Sequence, residues 1–317
     1  MTDSDPQQER PVDRPTDRRS LRARLDELLQ RPPQPAPSSV ANAPGVPPVG
    51  GLAPVVFRRE LPRSRRPVPG PEPAAGSGGL RLEEAVPGEQ FDGPQGGRAY
   101  LIRTSLAELA GSDALDQAFT RALEQPDWPL RTWLVQRGLE PGPAPDTVVF
   151  LDLETAGLGS APLFLIGALV WSVQGLHAEQ YLARDYAEEQ AAIARFLADH
   201  RHRALLVTFN GKSFDYPFLR ARAAATGVAF GWHPGHLDLL HASRRAWGRL
   251  LPDCRLQTLE RYVCRRARSS DIGGELIPAA YHAFVRTGDA TEMVEIIRHN
   301  LLDLATLAEL MTRFPPF

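Results

Sequence analysis

A short apolar stretch that carries two carboxylates constrains the fold of this chain most strongly. It runs Val148-Val-Phe-Leu-Asp-Leu-Glu-Thr-Ala-Gly-Leu158, and its β-branched and aromatic residues, followed by a glycine, predict a buried central strand. Side chains two apart on a strand point to the same face, so Asp152 and Glu154 lie side by side. Their charges repel, and a divalent cation with hard oxygen ligands, Mg²⁺ or Mn²⁺, relieves that repulsion. A strand that ends in solvated acids is the alternative.

Proline divides the chain before any further motif is considered. Residues 1–95 hold 18 of the 30 prolines, and residues 1–75 hold 12 arginines against 9 acids, although the net charge of the whole chain is −2. We therefore expect a disordered Pro/Arg-rich tail at 1–78 with one short amphipathic helix, to which a protein partner could bind. A small β and helical extension is expected at 79–144, and one α/β domain at 145–317.

The first residues and the apolar runs favour a soluble protein. The first ten residues are polar and acidic, and the longest apolar run, 162–173, is too short to cross a bilayer. Cys254 and Cys264 lack the paired spacing of a zinc site and are expected to be reduced thiols. We expect a cytoplasmic protein without a membrane partner.

Hydrophobic periodicity after residue 145 predicts a mixed α/β domain. Three successive strands that can pair as a meander precede alternating helices and strands, which favours a mixed sheet flanked by helices. The expected strands are 147–154, 164–172, 176–184, 204–209 and either 229–232 or 235–239. The expected helices are 188–200, 216–226, 238–249, 256–268, 279–287 and 289–313. In the extension, strand pieces at 80–83 and 98–103 are expected to lead into a helix at 106–124.

Two later stretches place acids beside predicted strand ends or on helix faces. In Leu206-Val-Thr-Phe-Asn-Gly-Lys-Ser-Phe-Asp215 an apolar strand ends at Asn210, and Asp215 enters a helix, where capping that helix is an equal alternative to metal binding. In His299-Asn-Leu-Leu-Asp303 the two titratable residues are four apart on one helical face, a spacing that by itself is typical of a surface pair.

The order of these three stretches resembles that of the DEDD 3′–5′ exonuclease superfamily. Asp-x-Glu on a first strand, Asn-x-x-x-Phe-Asp after a later strand and His-x-x-x-Asp on a C-terminal helix match its three motifs in sequence. Further segments between 236 and 289 are similar to the bacterial YprB-type branch, so the resemblance covers about 80–317. It implies a ribonuclease H-like fold, with a mixed five-stranded sheet flanked by helices.

The resemblance also implies an activity and its residues. A metal-dependent exonuclease would hydrolyse phosphodiester bonds at the 3′ ends of DNA or RNA with two divalent ions, Mg²⁺ or Mn²⁺. Asp152, Glu154, Asp215 and Asp303 would bind the ions, and His299 would accept the proton of the attacking water.

The remaining residues of the motifs would contact the substrate. Thr155 and Leu158 would lie against the terminal nucleotide, Asn210 would orient its turn, and Lys212 would approach a phosphate. Asp238, after a later strand, either supports the site or caps a helix.

Two other functions stay open beside the exonuclease. One is a non-catalytic nucleic-acid-binding scaffold, and the other is a structure-specific endonuclease of the same fold. Residues 244–268 contain eight arginines, which form either a surface that tracks a nucleic-acid backbone or a solvated helix face. The presence of all four acids favours an enzyme. The sequence does not distinguish DNA from RNA, single from double strands, or cutting at ends from internal cutting.

Overall fold

The described part of the chain folds into one mixed sheet with helices on both faces. The computed structural model describes residues 79–94, 96–136, 143–268 and 271–316. The tail predicted at 1–78 lies outside the described residues, so its disorder and its helix stay predictions.

The strands and helices alternate along the chain in the manner of an α/β protein. The strands are β1 (Glu89–Asp92), β2 (Arg98–Ser105), β3 (Val148–Thr155), β4 (Leu163–Ser172), β5 (Gly175–Leu182), β6 (Leu205–Thr208) and β7 (Gly235–Asp238). The first helices are α1 (Leu82–Ala85), α2 (Leu106–Ala110), α3 (Ala114–Glu124), α4 (Pro129–Val135) and α5 (Glu189–His200). The later helices are α6 (Asp215–Ala225), α7 (Leu239–Trp247), α8 (Leu256–Tyr262), α9 (Ile277–Thr287) and α10 (Thr291–Met311).

The sheet confirms the predicted fold class and extends it. Across the described ranges its seven strands stand in the order β1-β2-β5-β4-β3-β6-β7. Strands β3, β4 and β5 form the expected antiparallel meander, while β6 and β7 continue the sheet parallel to β3. The sheet has seven strands rather than five because β2 of the extension pairs along β5, and β1 pairs with β2.

Alternation along β3 places an apolar core on each face of the sheet. Val148 and Phe150 pack in a cluster with Leu301 of α10. Val149 and Leu151 point the other way, into a cluster formed with α5 and α6. Burying one such side chain contributes roughly 1.5–3 kcal/mol, so β3 is fixed from both sides.

One predicted helix is divided in two, and another ends earlier than its sequence pattern suggests. The helix predicted at 106–124 is divided into α2 and α3 by Gly111, whose φ of 64° is the left-handed conformation of a helix C-cap. The helix predicted at 256–268 ends at Tyr262, and Arg265 has a φ of 55°, which a right-handed helix cannot contain.

Two strand predictions in the sequence are also revised. The piece predicted as a strand at 80–83 falls in the helical turn α1, where Leu82 and Ala85 are buried together at a spacing of three. Of the two alternatives for the last strand, 235–238 is the one that pairs with β6. In the described part of the chain, no helix combines the length and apolarity that a membrane crossing needs.

Candidate active site

The two carboxylates of β3 emerge on the face of the sheet that α10 covers. The alternation that buries Val148 and Phe150 against α10 continues to Asp152 and Glu154, because the side-chain period of a strand is two. Glu154 is only 8% exposed. The strand therefore presents two acids to the helix that carries the third motif.

Asp215 reaches the same place from the neighbouring strand. Strands β3 and β6 are parallel, so their carboxyl ends meet at one edge of the sheet, and Asp215 begins α6 shortly after β6. Burial raises the pKa of its carboxylate, and the neighbouring backbone of Leu153 in β3 acts against that rise. Phe214 rather than Asp215 occupies the N-cap position of α6. The structure thus brings Asp215 to β3, as the metal-binding alternative requires.

Electrostatic coupling shows that the acids of all three motifs share one site. Burial, followed by repulsion from Asp303, Glu154 and Asp215, raises the pKa of Asp152 well above its ordinary value. Burial likewise raises the pKa of Glu154 to about 8, against an opposing effect of His299, and that of Asp215 to about 7. Such repulsion weakens as the distance between the charges grows, so the acids that contribute to it lie near Asp152. Three segments far apart in sequence therefore meet at the carboxyl end of β3.

An asparagine to which the sequence assigned no role holds Asp152 in place. Asn300 Nδ2 donates hydrogen bonds to Asp152 Oδ2 at 2.8 Å and to the Asp152 carbonyl oxygen at 3.1 Å. Its Oδ1 accepts one from Gln180 Nε2 of β5 at 2.8 Å. Gly167 in β4 is the pairing partner of Asp152 in β3. A Cβ added at Gly167 would stand 2.1 Å from Asn300 Oδ1. A polar residue within the apolar face of α10 is the signal that could have identified Asn300.

Asp238 fixes the turn that leads to Asp215. Its fully buried carboxylate accepts hydrogen bonds from the backbone N–H of Asn210 at 2.8 Å and of Lys212 at 3.1 Å. The same carboxylate caps α7 through the N–H of Leu240 at 3.1 Å. Both roles considered for Asp238 are therefore present, because one side chain supports the turn and caps the helix.

The four predicted substrate contacts lie around the acids at the same sheet edge. Thr155 Oγ1 donates to a carbonyl of the turn after β3 at 2.8 Å, and Leu158 in that turn is 85% exposed. Asn210, with a left-handed φ of 64°, and Lys212 are exposed in the turn after β6. Lys212 Nζ lies 5.7 Å from the centre of the Trp133 ring. Contact of these residues with a substrate stays a prediction.

His299 lies on the face of α10 that its spacing predicts, and an acid from another segment holds it. Its Nδ1 is 2.7 Å from Asp271 Oδ1, and its Nε2 is 3.5 Å from Asp303 Oδ2. Burial lowers the pKa of His299, but the bond to Asp271 and the nearby carboxylates outweigh that effect and raise it to about 9. His299 is therefore a cation at neutral pH in this structure.

Arg268 also enters the site, which the sequence did not suggest. Its guanidinium donates to Asp303 Oδ1, to Asp271 Oδ2 at 2.9 Å and to Glu260 Oε2 at 2.8 Å, and its side chain is 6% exposed. Arg266 also forms an ion pair with Glu260, and its side chain is 10% exposed. These two of the eight arginines at 244–268 belong neither to a nucleic-acid surface nor to a solvated face, because they neutralise buried acids.

The oxygen atoms of the four acids suit a hard divalent cation, but the acids are not arranged as a coordination site in this structure. Clustered carboxylate oxygens are the ligands that Mg²⁺ and Mn²⁺ prefer, and the mutual repulsion at Asp152 is what a cation would relieve. Within the described ranges, however, no group of three or more His, Cys, Asp or Glu side chains is placed to hold a metal ion. One of the four acids, Asp303, is paired with Arg268 in this structure.

Comparison with known proteins identifies the family. A family model for the RNase_H superfamily matches residues 149–314, a span of more than half the chain that contains all four acids. The chain belongs to this superfamily. Nucleases of the RNase H-like superfamily generally use divalent metal ions, which agrees with the donor chemistry of the site. The assignment confirms the RNase H-like fold class and supports nuclease activity at the level of the superfamily.

Two individual proteins are similar to part of this chain. The uncharacterized protein YprB of Bacillus subtilis (strain 168) is 30% identical over 170 residues, which are 52% of this chain and 41% of that protein. The match therefore spans less than half the length of the relative. The structure of the family B DNA polymerase from the hyperthermophilic archaeon Pyrobaculum calidifontis has a TM-score of 0.43 and 17% identity, covering 51% of this chain and 24% of that one. This TM-score and this identity are too low to support a conclusion about this chain.

Proposed function

We propose that this chain is a metal-dependent 3′–5′ exonuclease of the DEDD type that acts on DNA or RNA. One observation carries the proposal: acids from three distant segments lie together, Glu154 and Asp215 buried and Asp152 and Asp303 partly buried, and burial followed by repulsion from the other three raises the pKa of Asp152. Acids that repel one another in a buried cluster destabilise a fold, and a divalent cation bound at the edge of the RNase H-like sheet would relieve that repulsion.

In this proposal the acids bind two divalent ions, Mg²⁺ or Mn²⁺. The ions would supply activation of water and neutralisation of charge at the phosphate when bound. Asp152, Glu154, Asp215 and Asp303 would be the ligands. Positioning them is the task of the surrounding chain, and Asn300, through its hydrogen bonds to Asp152, does so most directly.

The end of β3 offers a surface to the terminal nucleotide. Leu158 exposes an apolar side chain in the turn next to the acids, where a base can pack on it. Thr155 precedes Leu158 and adds a hydroxyl group, and Lys212 adds a positive charge from the turn after β6. Asn210 would orient that turn through its left-handed backbone conformation. An apolar contact for the base and a cation for the backbone suit a strand end bound beside the site.

His299 is the proposed acceptor of the proton of water, and its surroundings set a condition for that role. With a pKa of about 9 it carries a proton at neutral pH, so it must lose that proton before it can act as a base. Replacing His299 separately by Ala and by Tyr tests the role. Unchanged cleavage rates in both variants would remove His299 from the mechanism.

A non-catalytic nucleic-acid-binding scaffold is the second candidate. It is favoured by the pairing of Asp303 with Arg268, which engages one of the four acids. A protein that only binds nucleic acid would have no need to release that acid. The two candidates differ in whether the protein cleaves nucleic acid in a reaction that needs Asp152.

Digestion of end-labelled oligonucleotides tests the proposal. Single- and double-stranded DNA and RNA are incubated with Mg²⁺ or Mn²⁺ and with wild type or Asp152→Ala. We expect a ladder that recedes from the 3′ end and that is absent in the variant and in the presence of a chelator. Binding without cleavage in every condition would support the scaffold, and cutting of circular substrates would favour an endonuclease.

A further inference from the structure

The Arg268 guanidinium already supplies Asp303 with a positive charge. All three of its nitrogens are engaged: Nη2 on Asp303, Nη1 on Asp271 at 2.9 Å, and Nε on Glu260 at 2.8 Å. Nη1 also lies 3.4 Å from His299 Nδ1. Arg268 therefore contacts the carboxylate site on one side and Glu260, a buried acid outside that site, on the other.

The acid outside the site does not depend on Arg268 alone. Glu260 Oε1 accepts a hydrogen bond from Arg266 Nε at 2.7 Å, and Arg266 Nη1 is bonded to Glu309 at 2.7 Å. If the Arg268 guanidinium moved, Glu260 would keep a charged partner. Such a move leaves no buried charge uncompensated, which is the usual obstacle to opening an interior ion pair.

The structure also provides room for such a move. A cavity of about 420 Å³ lies between α8 and the segment that follows it, and its lining includes Glu260, Tyr262, Arg268 and Asp271. One water takes up about 30 Å³ in the liquid, so the space holds a displaced guanidinium together with its hydration. Arg268 itself lines this cavity, so the space into which its guanidinium would move from Asp303 is adjacent to it.

We infer that Arg268 and a divalent cation compete for the carboxylate of Asp303, so that loading the site displaces the guanidinium. The inference rests on the proposed function, whose cation site is its premise. A guanidinium and a divalent cation repel each other strongly when both lie on one half-buried carboxylate, because little water screens them.

Titration of the protein with Mn²⁺, followed by calorimetry, measures the competition without relying on activity. Arg268→Gln removes the competing charge but keeps a hydrogen-bonding side chain. An opposite charge in contact changes the proton affinity of a carboxylate by about tenfold to a thousandfold, so we expect Arg268→Gln to bind Mn²⁺ at least about tenfold more tightly than wild type. Arg266→Gln is the matched control, since it removes a charge from the same network without touching Asp303, and its affinity should stay within about twofold of wild type.

A milder variant guards against loss of folding. Arg268→Lys keeps the positive charge, but a single ammonium cannot reach the three acids that the guanidinium bridges, so a smaller gain in affinity is expected. Thermal melting confirms that each variant is folded. Wild-type or weaker Mn²⁺ affinity in both Arg268 variants would overturn the inference while leaving the proposed function in place. Absence of Mn²⁺ binding in wild type and in both Arg268 variants would overturn the inference and the proposed function together.

Discussion

Gly167→Ala is expected to unseat the side chain that holds Asp152. Gly167 faces Asp152 across β3 and β4, and an added Cβ would stand 2.1 Å from Asn300 Oδ1 and 2.8 Å from Asn300 Cγ. Real Cβ contacts are never that short, and Asn300 is fully buried, so the amide has to leave its place. Asp152 would then lose its hydrogen-bond donor.

The magnitude follows from the bonds that Asn300 makes. Two go to Asp152, and one comes from Gln180. At about 1 kcal/mol for each, their loss lowers the free energy of unfolding by about 3 kcal/mol. For a domain of this size 1 kcal/mol corresponds to a change in Tm of about 2–4 °C, so Gly167→Ala should melt about 6–12 °C below wild type.

A double-mutant cycle identifies the cause. Asn300→Ala should lose the same bonds, but it also empties the space into which the new Cβ projects. Thermal melting by circular dichroism is therefore expected to place Gly167→Ala/Asn300→Ala close to Asn300→Ala alone. The reasoning is refuted if Gly167→Ala melts with wild type, or if the two single effects simply add.

Two further substitutions test the framework around the site. Asp238→Asn replaces one of the two oxygens that accept from the N–H groups of Asn210 and Lys212 with a donor. Urea unfolding should therefore show a free energy of unfolding about 1–3 kcal/mol lower than that of wild type. An unchanged midpoint would show that these hydrogen bonds to the turn do not stabilise the fold. Burial raises the pKa of Glu179, but hydrogen bonds from neighbouring histidines and Tyr181 outweigh it and hold the pKa far below its usual range. Because the folded-state pKa lies below the unfolded one, the stabilisation is present above about pH 4.3 and is lost as the pH falls further. Glu179→Gln should therefore melt below wild type at pH 7 and approach it in acid, whereas a gap independent of pH would contradict this.

The central strand and its acids could be predicted from the sequence because their pattern is local. The run from Val148 is apolar enough to require burial on both faces, and a period of two then fixes the face of Asp152 and Glu154. The structure places β3 at 148–155, within one residue of the prediction. The spacing of His299 and Asp303 on one helix is local in the same sense.

The partners of these acids could not be predicted, because their contacts join distant parts of the chain. Asn300 meets Asp152 across 148 positions, and no periodicity encodes that pairing. Arg268 looked like the other arginines of its stretch, and the helical pattern there continued to 268. The helix instead ends at Tyr262, and Arg265 has a left-handed backbone, a conformation that leaves no composition signal in a residue other than glycine.

A Mn²⁺-soaked crystal examined by anomalous scattering tests the central claim most directly. The prediction is anomalous density coordinated by Asp152, Glu154, Asp215 and Asp303, with the Arg268 guanidinium no longer on Asp303. A saturating soak that leaves no density at these acids, with Arg268 still paired to Asp303, would contradict it.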